Sequence, residues 1–328
     1  MQQNTTEIFR DAPVPKAVLS NVIPSIISMI MVLIYNLADT FFIGQTKNAL
    51  MVAAVSVATP AFLLFMAVGM LFGIGGTSFI SRMLGEGQEE RAKHASAFCF
   101  WTGLAVGIIS MILIVIFAEP VCKAIGASPD TIEYATQYLR IVAIGIPFLI
   151  ISNAFSNIIR SEGRAKTAMS GMIIGNMANV ILDPVMILLL GWNVAGAAIA
   201  TVIAQGISVV LCLIYIVTKA KILLPEKRHF ALDRGLYADL LAQGFSMGFM
   251  SSIIYVGSIV LQPGINSLGY ETIAGHTAAR KLFSFSMMPL SSMAQAVNTY
   301  VAQNRGADNW ERVRKGIRYA YIFCFSVT

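Results

Sequence analysis

Gly171-Met172-Ile173-Ile174-Gly175-Asn176-Met177-Ala178-Asn179-Val180-Ile181-Leu182-Asp183-Pro184 is the stretch from which the fold of this chain is read. Its pattern predicts a helix. Gly171, Gly175, Asn179 and Asp183 recur every four residues and form one ridge along one face, with Asn176 beside it. The remaining positions are mostly aliphatic, and no charge follows from Pro184 to Thr218. A carboxylate therefore sits inside a long apolar tract. At the centre of a membrane helix that costs about 2.5–3.5 kcal/mol, which makes a functional role the default explanation. The competing reading is an interfacial Asp at a helix end, solvated by headgroups and water.

Composition points the same way. Apolar residues make up 56% of the 328 and charged residues 12%, against about 25% charged in an ordinary soluble domain. Mean hydropathy is +0.72. This is the profile of an all-α polytopic membrane protein. The net charge of +6 is read through topology and not as nucleic-acid binding. Cys99, Cys122, Cys212 and Cys324 lie far apart, with no CxxC or Cys/His cluster, so neither a disulfide framework nor a structural metal is expected. No cofactor is expected either. The first apolar run lacks a small-residue cleavage pattern and is read as a retained span.

Eight spans follow in order, at about Lys16–Gly44, Ala49–Ser81, Ala95–Ala118 and Ile132–Asn157, then two flanking Gly191-Trp192-Asn193, then Leu236–Leu261 and Thr272–Ala302. Pro24 is expected to kink the first. Arg82–His94, Glu119–Thr131 and Arg160–Lys166 are expected loops, and Lys219–Arg234 is the longest charged one. Lys and Arg crowd alternate loops: Arg82, Arg91 and Lys93; Arg160, Arg164 and Lys166; Lys219, Lys221, Lys227, Arg228 and Arg234; Arg305, Arg312, Arg314, Lys315 and Arg318. The opposite loops carry only Lys47 and Lys123. This asymmetry places the N-terminus in the cytoplasm and six spans before Lys219.

A repeat is visible. Val52-Ala53-Ala54-Val55-Ser56 resembles Ile273-Ala274-Gly275-His276-Thr277, and Ser78-Phe79-Ile80 resembles Thr299-Tyr300-Val301. At the same offset Gly85 falls on Gly306 and Glu90-Arg91 on Glu311-Arg312. Parallel repeats of six spans are a transporter architecture. Repeat arithmetic gives residues 1–218 as a first lobe, 219–235 as an inter-lobe loop and 236–328 as an incomplete second lobe. The chain is then expected to be a fragment that stops in its ninth helix and does not transport by itself.

Polar groups from three spans converge at similar depth: Tyr35, Asn36 and Asp39 in the first, Asn179 and Asp183 in the fifth, Thr201 and Gln205 in the sixth. Two carboxylates in a semi-dry pocket repel one another. One of them could bind and release a proton, or the pair could hold Na⁺ with oxygens of Asn179 and Thr201. Arg280 and Lys281 interrupt the eighth span. They either snorkel to the interface or line a cavity, and His276 is a possible titrating neighbour.

Asn36-Leu37-Ala38-Asp39-Thr40-Phe41-Phe42-Ile43-Gly44 resembles the first-span motif of the MATE (multidrug and toxic compound extrusion) transporters, and Asn179-Val180-Ile181-Leu182-Asp183-Pro184 their fifth-span motif. Ser81-Arg82-Met83-Leu84-Gly85 and Arg160-Ser161-Glu162-Gly163 resemble their cytoplasmic loop signatures. The resemblance implies a two-lobe bundle of six plus six helices in the bacterial plasma membrane. It also implies export of lipophilic, mostly cationic compounds driven by H⁺ or Na⁺, by a monomer with no enzymatic activity. The coupling ion would bind at Asp39 and Asp183, with Tyr35, Asn179 and Thr201 around them. Asn36, Gln205, Arg280 and Gln295 are candidate cavity-lining residues. Some branches carry acids in spans seven and eight. Here Phe245-Ser246-Met247-Gly248 and Gln295 stand there, which favours coupling in the first lobe. Two other readings weigh less. A flippase for lipid-linked precursors would need several cavity Arg or Lys for a pyrophosphate, and only Arg140, Arg280 and Lys281 are candidates. An intramembrane aspartyl enzyme lacks a second motif.

Overall fold

The computed structural model describes residues 6–46, 48, 50–52, 54–55, 73–219, 229, 235–246, 249, 253, 257, 261 and 270–327; much of spans two and seven lies outside them. Among the described residues there are helices and turns and no strand. The helices are α1 (Thr6–Asp11), α2 (Val14–Gly44), α3 (73–85), α4 (Glu89–Ile125), α5 (Ile132–Ile144), α6 (Ile146–Ser161), α7 (Ala165–Asp183), α8 (Asn193–Lys219), α9 (235–246), α10 (Tyr270–Gly306) and α11 (Trp310–Val327). Four of them are long and apolar enough to cross a bilayer, and the α5–α6 pair adds a fifth if counted as one bent span. Their outward faces carry Ile109, Ile116, Ile181, Val210 and Ile214, exposed as lipid-facing side chains would be.

Four local expectations changed; Glu119–Thr131, expected as a loop, is helix as far as Ile125, the end of α4, beyond a kink at Phe117. The fourth span is not straight: α5 and α6 meet at 46°. Gly145 lies at the break and Pro147 two residues on, where a ring without an N–H cannot continue the ladder. Arg82–His94 is mostly helix, since α3 runs to residue 85 and α4 starts at Glu89. Glu89 and Glu90 occupy its first turn, where acidic side chains oppose the helix dipole. Arg160 and Ser161 are not loop residues but the buried end of α6. Pro24, by contrast, is carried inside a continuous α2.

The repeat recurs in the backbone. After α3, Glu86 N–H bonds Arg82 O at 2.9 Å and Gln88 N–H bonds Met83 O at 2.9 Å. After α10, Ala307 N–H bonds Gln303 O at 3.0 Å and Asn309 N–H bonds Asn304 O at 2.8 Å. All four lie at the offset that relates Gly85 to Gly306. So do the left-handed residues of the two turns, Gly87 (φ 74°) and Asp308 (φ 55°). The two turns also meet each other. A Cβ on Gly85 would overlap the Gln303 carbonyl, and one on Gly306 would overlap the Arg82 carbonyl. Each contact is the repeat image of the other, as at a two-fold interface.

Candidate functional site

The ridge read from sequence is the packing seam of α7. Gly171, Gly175, Asn179 and Asp183 are all buried, and α7 packs against both α2 and α8. The glycines let α8 approach. Gly171 lies under Cys212 and Gly175 under Ser208 and the Ala204 carbonyl. That close approach puts Thr201 of α8 beside Asn179. The Asn179 side-chain amide donates to Thr201 Oγ1 at 3.5 Å and to Asp183 Oδ1 at 3.4 Å, both long bonds. The Thr201 hydroxyl donates to Ala197 O at 3.0 Å, so its lone pairs remain directed at the amide.

Asp183 is 0% exposed and ends α7. Pro184 follows, and its missing N–H lets the helix relax into a π-helical turn, Pro184–Leu189. Leu190 N–H then bonds Val185 O at 2.9 Å across the wider turn. Neither the sequence motif nor the apolar pattern announces this widening.

Four buried polar atoms here have no hydrogen-bond partner among the described residues: Asp183 Oδ2, Asn179 Oδ1, Asn176 Nδ2 and, from α2, Asp39 Oδ1. Unpartnered buried polar atoms are uncommon and call for a reason. Three of the four are oxygens, which suits a proton or a small cation more than an anion. Asp39 and Tyr35 of α2 lie close enough to Asp183 to interact electrostatically.

Tyr138 of α5 joins this environment, close enough to Asp39, Tyr35 and Asp183 to interact electrostatically. Sequence reasoning passed over it. Its signal was the Tyr134/Tyr138 pair one turn apart, which packs on the C-terminal end of α2 and the N-terminal end of α8. Among the described residues no group of three or more His, Cys, Asp or Glu could hold a metal ion.

The other candidates lie elsewhere or face other partners. Asn36 is exposed, and its amide donates to Val32 O at 2.8 Å in its own helix. Gln205 is half-buried one turn after Thr201. Arg280 is exposed on α10 and His276 half-buried, while the Lys281 side chain lies outside the described residues. Gln295 accepts a bond from the buried Arg160 of α6, so its side chain serves a helix–helix contact. Next to it Gln303 donates to Ser161 O.

Comparison with known proteins agrees with this architecture. A Staphylococcus saprophyticus protein named multidrug export protein MepA is 27% identical over 308 residues, covering 94% of this chain and 68% of that one. The Staphylococcus aureus protein of the same name is 25% identical over 332 residues, covering 99% and 74%. Among solved structures, an outward-facing multidrug resistance MATE transporter of the MOP superfamily superposes with a TM-score of 0.92. It is 25% identical, covering 100% of this chain and 72% of that one. A MATE structure in a bent conformation gives 0.93 at 25% identity, covering 100% and 73%. The sequence itself matches the family described as MatE over residues 24–185 and 247–328, so this chain belongs to the MATE family of multi-pass membrane transporters and is a transport protein, not an enzyme.

Proposed function

We propose that this chain is part of a bacterial plasma-membrane antiporter that exports lipophilic, mostly cationic compounds in exchange for H⁺ or Na⁺. Residues 1–218 form its first lobe, residues 219–235 the inter-lobe loop and residues 236–328 part of the second lobe, with the N-terminus in the cytoplasm. The named relatives are multidrug export proteins, which supports the substrate class. The observation that carries the coupling reading is the buried Asp183–Asn179–Thr201 set facing Asp39, with carboxylate and amide oxygens left unpartnered.

A proton or Na⁺ entering from outside satisfies those oxygens. It cancels the repulsion between Asp39 and Asp183 and draws α2 towards α7. The altered packing weakens the hold on the exported compound. The lobes then rock inward, the ion leaves, and a new cation binds. One pH unit supplies about 1.4 kcal/mol per proton, and 100 mV adds about 2.3 kcal/mol per charge moved. A one-for-one exchange with a monovalent cation moves no net charge and supports about a tenfold gradient per pH unit; a second ion per compound brings in the potential as well.

The test uses the full-length protein in proteoliposomes with a fluorescent lipophilic cation, under an imposed pH gradient or Na⁺ gradient separately. Transport under one gradient and its loss in Asp183→Asn identifies the ion and supports the site. Undiminished transport in Asp183→Asn moves coupling away from this site. No transport under either gradient overturns the exporter reading.

A further inference from the structure

The segments that precede the two repeats make matching contacts, each with the opposite repeat. α1 leads into α2. Its Phe9 ring is buried edge-on against Tyr300 of α10, with centroids 6.0 Å apart. The Phe9 carbonyl accepts from Arg312 Nη2 at 2.9 Å and from Asn304 Nδ2 at 3.3 Å. The Ala12 carbonyl accepts from the same Arg312 Nη2 at 2.6 Å. The leader of the first repeat is thereby fastened to the turn between α10 and α11.

At the repeat offset Ile8 falls on His229 and Phe9 on Phe230. His229 precedes α9 and is fully buried. Its Nε2 lies 2.8 Å from Glu90 Oε2, its carbonyl 3.0 Å from His94 Nδ1, and its ring is edge-on to that of His94 at 4.8 Å. The leader of the second repeat is thus fastened to the start of α4. Glu90 and Arg91 hold the places in α4 that Glu311 and Arg312 hold in α11. The bonding groups differ between the two attachments, but their positions in the repeat correspond.

We propose that these leaders are reciprocal clasps: each repeat's leader grips the other repeat's turn, and the pair holds shut the side of the bundle that carries the N-terminus. The inference rests on the alternating-access reading above. α1 runs through Ala12 and Pro13 into α2 of its own repeat, and His229 lies six positions before Gly235 of α9, so parting the halves on this side breaks both attachments. The Gly85–Gln303 and Gly306–Arg82 contacts join the same two turns across the repeats and would part with the clasps.

The test measures cysteine labelling by a charged maleimide on the full-length protein in detergent, with Cys324→Ser as background. Ser81→Cys, fully buried beside the Arg82–Gly306 contact, reports opening. Native Cys99, in the core, reports unfolding. Arg312→Lys and His229→Ala should each speed Ser81→Cys labelling about tenfold, the effect of one charged hydrogen bond lost from the closed state, with Cys99 still protected. The proposal is overturned if Ser81→Cys labelling is unchanged in both variants while Phe9→Cys in the Arg312→Lys protein becomes reactive. Should Arg312→Lys expose Cys99, deletion of residues 1–12 replaces it, read against the same two outcomes. Labelling needs no ion gradient, so its failure leaves the transport reading standing. Absence of transport in the unaltered protein would leave the labelling result standing.

Discussion

Gly175→Ala is a single methyl group that should break the polar cluster that begins one turn away from it, at Asn179. An added Cβ would overlap Ser208 Oγ and stand 2.7 Å from the Ala204 carbonyl oxygen. The serine can rotate, but the carbonyl belongs to the α8 backbone. A relaxed carbon–oxygen contact is about 3.3 Å or more, so α8 must retreat by about 0.6 Å. The Asn179–Thr201 bond is already 3.5 Å long and does not survive such a step. Overpacking of this kind costs about 1–3 kcal/mol, while alanine in a helix returns up to about 1 kcal/mol over glycine. Gly206, also on α8, has nothing within 4 Å of its added Cβ and is the matched control. Gly206→Ala should therefore be neutral or slightly stabilising, and Gly175→Ala should fall below it by about 1–3 kcal/mol in thermal unfolding. Adding Ser208→Ala should recover only part of the loss, because the Ala204 carbonyl remains. Ion-dependent stabilisation of the purified protein, measured by the rise in melting temperature with Na⁺ or falling pH, should vanish in Gly175→Ala. Equal melting temperatures for the two glycine variants, with ion-dependent stabilisation intact, would refute the seam as the device that positions Thr201.

Two further outcomes follow from the other end of the bundle. Burial raises the Glu162 carboxyl from 4.5 to about 7, with Arg164 at 3.9 Å pulling the other way. The folded chain then keeps a proton that the unfolded chain releases, so stability falls as pH rises from about 4.5 to 7 and is flat above; Glu162→Gln should remove up to about 3 kcal/mol of that slope in melting curves across pH. Gln295→Leu strips the buried Arg160 of its amide partner and should cost about 2–3 kcal/mol in unfolding, whereas Arg160→Met combined with Gln295→Leu should recover most of it; a double variant as unstable as the single one would show that the bond itself is not the issue.

The span pattern, the ridge of α7 and the convergence of α7 and α8 were legible because each depends on spacing along one helix and on charge, both of which the sequence displays directly. Gly171, Gly175, Asn179 and Asp183 had to share a face once the stretch was helical. The repeat was legible because its two turns need the same backbone, although only Gly85 and Gly306 keep the same residue at the closest approach. What was not legible depends on contacts between distant segments. Arg160 read as a loop cation because nothing near it in sequence supplies the carbonyl that Gln295 brings from α10. Tyr138 was passed over because its relation to Asp39 joins α5 to α2, two helices far apart in sequence. The π-helical turn after Asp183 follows from Pro184 in hindsight, yet most prolines, like Pro24, cause no such widening.

The attachment of α1 also sets a clock on assembly. Phe9 and Arg312 are 303 residues apart, so during synthesis at about 5–20 residues per second the partner emerges roughly 15–60 s after the phenylalanine. For that interval the ring that ends up against Tyr300 has no permanent neighbour, and neither do the early turns of α2 that pack on α10. Residues made early are thus among the last to reach their final surroundings. A ribosome pause before the α10–α11 turn would lengthen the exposure of the amino-terminal end, and limited proteolysis of arrested nascent chains would catch cleavage near residues 6–12 that the finished protein resists.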